Sequence, residues 1–79
     1  MTVLNKESRS TLLEVTKTLS EQQKIIEKMA HSGMDIYENL PEGLQQSSRF
    51  EKLDCSNWTL LEVAADVESA IIGLKSVID

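Results

Sequence analysis

Two runs of residues, each repeating at alternating intervals of three and four, occupy most of this chain and constrain its fold more than any other feature. The first is Leu12, Val15, Leu19, Gln22, Ile26, Met29, Gly33, Ile36 and Leu40; the second is Phe50, Leu53, Asn57, Leu60, Ala64, Val67, Ile71, Leu74 and Ile78. Alternation of three and four is the repeat of an apolar seam along an α-helix, whereas a half-buried strand alternates every two residues. Neither run breaks phase. The sequence therefore predicts an all-α chain with one helix over about 6–39, a bend over 40–47 and a second helix over about 48–78.

The stretch between the runs supports a reversal. Pro41 disfavours helical geometry at Leu40 and ends the first helix there. Ser48 and Glu51 have the spacing of a capping box, which starts the second helix at Ser48. The bend itself is Leu40, Pro41, Glu42, Gly43 and Leu44. The start of the first helix is less defined, between Asn5 and Thr11, and residues 1–4 are expected to fray unless Val3 and Leu4 dock on a partner. The segment "DCSNWT" at 54–59 is rich in cap-forming residues, yet the seam holds phase through it, so the second helix is expected to be continuous; Thr59 with Glu62 is the fallback start of a shorter one.

A short connection makes the two helices antiparallel. The seams then pair rung for rung: Ile36 with Leu53, Gly33 with Asn57, Met29 with Leu60, Ile26 with Ala64, Gln22 with Val67, Leu19 with Ile71, Val15 with Leu74 and Leu12 with Ile78. This agreement predicts a coiled-coil-like hairpin with arms about 42 Å long.

A hairpin of 79 residues has a marginal core, and the usual staples are absent. Cys55 is the only cysteine and His31 the only histidine, so neither an intrachain disulfide nor a structural zinc site can form within the chain. Help from a partner is expected. The second helix also carries apolar residues beside its seam: Trp58, Leu61, Ala65 and Ile72 on one side, Val63, Ala70 and Val77 on the other. That face is wider than one neighbouring helix can cover. It predicts a homodimer in which two hairpins pair into a four-helix bundle, with Tyr37, Trp58, Leu61, Ala65 and Ile72 as the candidate interface. Docking of the second helix on another protein is the alternative.

Catalytic and cofactor chemistry finds no matching constellation. His31 has no serine or cysteine at helical spacing to make a nucleophile and base, and Cys55 follows an acid, which opposes thiolate formation. Glu62 and Asp66 share a helical face but lack the histidines of a di-metal site. Gly33, Gly43 and Gly73 are isolated and form no phosphate loop. No catalytic residue, metal or cofactor is expected. Charge is −5 overall, and residues 29–79 hold nine acids against three bases, which opposes direct nucleic-acid binding. There is no run long enough to span a membrane and no signal-peptide pattern, so a soluble cytoplasmic protein is expected.

The stretch "NLPEGLQQSSRFEKL", through Asn39 to Gln45, Ser48 or Ser47, Arg49 and Glu51, resembles a segment of small, uncharacterised helical proteins of bacteriophages and mobile elements in Gram-positive bacteria. It spans about 15 of the 79 residues. Phe50 stands where those proteins often have glycine, and the final helix is less acidic than theirs. The resemblance implies a phage or mobile-element origin and no particular activity. Together, these features predict a non-enzymatic protein–protein interaction module, such as a modulator of a host protein. The alternatives are a structural or assembly component acting as a homodimer, and an acidic DNA mimic that inhibits a nucleic-acid enzyme.

Overall fold

The computed structural model describes residues 5–79; Val3 and Leu4 lie outside the described residues. Three helices follow one another: α1 (Lys6–Glu38), a single turn α2 (Glu42–Gln45) and α3 (Ser48–Ile78). The long helices α1 and α3 pack along each other into a rod of 58 × 17 × 14 Å.

Each boundary has a local cause. Asn5 holds extended backbone ahead of α1 and its Oδ1 accepts a hydrogen bond from the Ser8 N–H at 2.8 Å, satisfying one of the free donors of the first turn. At the other end Asn39 closes α1, donating from Nδ2 to the Asp35 carbonyl at 2.8 Å, and Pro41 follows with φ −56°. The start of α3 differs from the expected capping box. Ser47, not Ser48, takes the extended cap position, and its hydroxyl donates backwards to the Leu44 carbonyl at 2.8 Å. That bond ties the serine at the cap position to α2, and its side chain makes no capping hydrogen bond to α3.

α3 runs unbroken through "DCSNWT". Thr59 donates its hydroxyl to the Cys55 carbonyl one turn back at 2.9 Å, which satisfies a cap-forming side chain inside the helix.

The seam read on α3 is the seam that packs. Asn57, Ala64 and Ile71 are buried, and Phe50, Leu53, Leu60, Val67, Leu74 and Ile78 are half-buried. On α1 only alternate rungs hold. Leu12, Leu19, Ile26, Gly33 and Leu40 face α3 or are half-buried as expected, but Val15, Gln22, Met29 and Ile36 are exposed. Their places are taken by the next residue along: Thr16 and Ala30 are buried, Gln23 and Tyr37 half-buried. Replacing a step of three by a step of four turns the packed face of α1 by roughly 50°. Size explains one exchange: Ala30, next to the Gly33 contact, lets the helices close where Met29 would hold them apart, whereas Thr16 is the size of Val15 and Tyr37 is larger than Ile36.

The contact between Gly33 and Asn57 is the tightest point of that closure. A Cβ placed on Gly33 would overlap the Asn57 side-chain oxygen and stand 2.7 Å from its Cγ. Thr16 is tolerated at 7 % exposure because its hydroxyl donates to the Leu12 carbonyl of its own helix at 2.8 Å. The resulting core is thin. Its buried apolar residues are Ala30, Ala64 and Ile71, and among the described residues no large side chain is fully enclosed.

Candidate functional site

The rotation of α1 builds a surface that the repeat alone does not reveal. Met29, Ile36 and Ile25, which is on the same flank, are 58 %, 58 % and 51 % exposed. Facing them across the helix junction are Leu53 and Leu60 of α3, and the two sets line an open groove of about 500 Å³. Gly33 and Asn57 line it at the helix junction, Ser32 and Ser56 complete its walls, and Lys28 is its one charged lining residue.

The groove is part of a longer face. At 100° per residue, the positions of α1 that share its flank are Thr11, Glu14, Val15, Thr18, Gln22, Ile25, Met29, Ser32 and Ile36. On α3 the same flank holds Leu53, Ser56, Leu60, Val63, Val67, Ala70 and Leu74. Between these bounds the α3 row is uncharged, and the α1 row carries one charge, Glu14, with Lys28 at its border along the groove. Most other acids and bases occupy the remaining directions, as expected of solvated surface, while Arg49 and Lys52 precede the α3 row on the same flank.

Asn57 adds a polar group to this apolar setting. It is 3 % exposed, and its Nδ2 has no hydrogen-bond partner in the structure. Leaving such a group unsatisfied costs about 1–3 kcal/mol, so an orphaned amide beside an open groove requires a reason.

The expected interface residues divide between two settings. Trp58 and Ile72 are each 59 % exposed, Ala65 is exposed and Leu61 is half-buried, all on the flank of α3 opposite the groove. Tyr37 belongs elsewhere. Its hydroxyl donates to the Gln45 carbonyl at 3.2 Å, and the Gln45 amide donates to the Tyr37 carbonyl at 3.0 Å and the Leu40 carbonyl at 3.2 Å. This reciprocal lock fixes the bend to the end of α1, where the Tyr37 carbonyl also accepts from the Leu40 N–H at 3.2 Å. Of the bend residues, Leu40 is half-buried, and Pro41, Glu42, Gly43 and Leu44 are exposed. The sequence reading missed Gln45, and its place just after α1 was the available signal. It also missed the groove, for which the exposed, large residues at one step of the α1 repeat were the only sign.

His31 and Cys55 are both exposed and lie on different helices. Among the described residues no group of three metal-ligating side chains comes together, and no helix is long and apolar enough to cross a membrane.

The site and fold together define an antiparallel helical hairpin with one open, largely apolar groove along its flank. Compared with protein-family models, curated proteins and solved structures, the chain matches none of them.

Proposed function

We propose that the chain is a non-enzymatic protein–protein interaction module, a rod whose flank is completed by another chain. Pairing of two hairpins as a homodimer, giving a four-helix bundle, is the architecture this reading favours. The observation that carries it is the exposure of Ile25, Met29 and Ile36 along one groove, next to a core with no fully enclosed large side chain among the described residues. Contiguous apolar surface of this kind marks an interaction site in a small protein.

A second reading rests on Trp58 and Ile72, exposed on the opposite flank of α3. There a foreign protein, such as a host protein modulated by a phage or mobile-element product, would dock on α3. Large amphipathic rings of this type anchor interfaces.

Co-purification tests the module reading. Tagged wild-type chain is expected to retain protein, either untagged copies of itself or a second species, and the retained band should vanish with M29E/I36E or with W58E. Retention of nothing, or retention that neither surface variant changes, would overturn it.

A further inference from the structure

We infer that α1 has two packing faces of similar fit to α3, that an axial turn of α1 by roughly 50° closes the groove, and that the lock between Tyr37 and Gln45 holds it open. The inference rests on the module reading above and deepens it by naming how access to that surface is regulated.

The two faces share one row, Leu12 to Leu40 in steps of seven, and differ in the residues beside it. In the structure Thr16, Gln23, Ala30 and Tyr37 stand beside that row, and Val15, Gln22, Met29 and Ile36 are exposed. Turning α1 exchanges the two sets rung by rung. Gln22 replaces an identical side chain. Val15 for Thr16 keeps the size and buries a methyl in place of a hydroxyl, and Ile36 for Tyr37 reduces the size. Met29 for Ala30 increases it, so this is the one rung that resists the turn. Burial of apolar surface favours it.

The bonds of the packed face permit the turn as well. Thr16 donates to the Leu12 carbonyl and Gln23 to the Glu27 carboxylate, both on α1, so these bonds rotate with the helix. Asn57 gives the packed face no hydrogen bond through its Nδ2, which is enclosed in the hairpin without an acceptor while its side chain fills the notch at Gly33. That unsatisfied amide narrows the margin of the packed face over the turned one, in which Gly33 has moved aside.

What fixes the angle of α1 is the bend. The Tyr37 hydroxyl donates to the Gln45 carbonyl, and the Gln45 amide donates to the Tyr37 and Leu40 carbonyls. An axial turn sweeps the Tyr37 hydroxyl, at the tip of a long side chain, out of reach of Gln45, and carries the two carbonyls around the axis away from the amide. The same turn moves Met29 and Ile36 from the groove wall into the seam and so closes the groove. A chain docked in the groove binds the locked face alone, and therefore competes with the turn.

Methionine-methyl NMR on the full chain, with a soluble paramagnetic agent reporting solvent access, is the experiment. Met29 is exposed and Met34 half-buried, and the two lie about 140° apart around α1, so a turn that buries one uncovers the other. Loss of two ordinary hydrogen bonds shifts an equilibrium about tenfold, so Y37F/Q45A should shield the Met29 methyl about twofold and expose Met34 in step. General loosening would expose both. Adding I36E to that variant should restore the wild-type values, because an unpaired carboxylate is costly to turn into the seam. If Y37F/Q45A loses its helical circular dichroism, Q45A alone decides. Unchanged methyls, two methyls both more exposed, or a shift that I36E leaves in place would overturn the inference. Should that happen while the wild-type chain retains protein, this inference alone falls; should the methyls exchange as expected while nothing is retained, the module reading falls and the turn stands.

Discussion

At the residue scale the closest approach of the two helices is set by one glycine against one amide. Gly33 gives the Asn57 side chain its space, and a Cβ there meets an Asn57 side-chain oxygen and Cγ rather than the end of a long, yielding chain. Gly33→Ala therefore sets two effects in opposition. Helix propensity favours alanine by about 1 kcal/mol, while forcing a methyl into a packed contact costs about 1–3 kcal/mol. The overlap is severe, so the expected outcome is a net loss of about 1–2 kcal/mol, read by chemical denaturation at fixed protein concentration. The sign should reverse with Asn57→Ala in place, because the added methyl then has room and only the propensity gain is left. A loss of the same size in both backgrounds would show that the steric account is wrong. The pairing of Gly33 with Asn57 was legible in the sequence, since it needs only the antiparallel register. The orphaned Nδ2 was not, because hydrogen-bond satisfaction depends on which groups surround a residue once the helices have closed.

At the element scale the bend and the face of α1 show where a repeat informs and where it cannot. On α3 the larger apolar residues and the packed residues coincide, so the seam could be read directly. On α1 the row shared by both readings, Leu12 to Leu40 in steps of seven, was legible; the choice between Val15 and Thr16, or between Met29 and Ala30, was not. Hydrophobicity favours the first of each pair; closeness of approach favours Ala30 over Met29, while Thr16, no smaller than Val15, is admitted with its hydroxyl bonded to the Leu12 carbonyl. The bend carries a similar lesson. Proline and glycine explain the change of direction, but Gln45 holds it, through its amide bonds to the Tyr37 and Leu40 carbonyls. Gln45→Ala should cost about 1 kcal/mol through the loss of these bonds, with partial compensation by water at this half-buried position. Tyr37→Phe removes the returning bond to the Gln45 carbonyl and should act less than additively with it, since the two residues form one lock. Thermal melts of the two single variants and the double variant would measure that coupling; strict additivity would mean that the two bonds are independent.

At the scale of the whole molecule, shape separates the modes of association. The radius of gyration is 17.8 Å, against about 12 Å for a compact domain of this length. That difference is the signature of a two-helix rod, in which nearly every residue lies close to the surface. Pairing along the groove would place a second rod beside the first, with axes about 8–10 Å apart at the helix contacts, so mass doubles while the radius of gyration rises by less than about 1 Å. End-on association, through the bend or the chain ends, would instead come close to doubling the radius. Pairing through Trp58 and Ile72 would also be side by side, and scattering alone would not separate it from pairing along the groove. The measurement is therefore small-angle scattering on the wild type together with M29E/I36E. A wild-type profile of doubled forward scattering and nearly unchanged length, falling to half the forward scattering in the double variant, is the expected result. Doubled length would instead place the contact at the ends of the rod, and the small residues that bring α1 and α3 together would then stabilise the hairpin without directing its assembly.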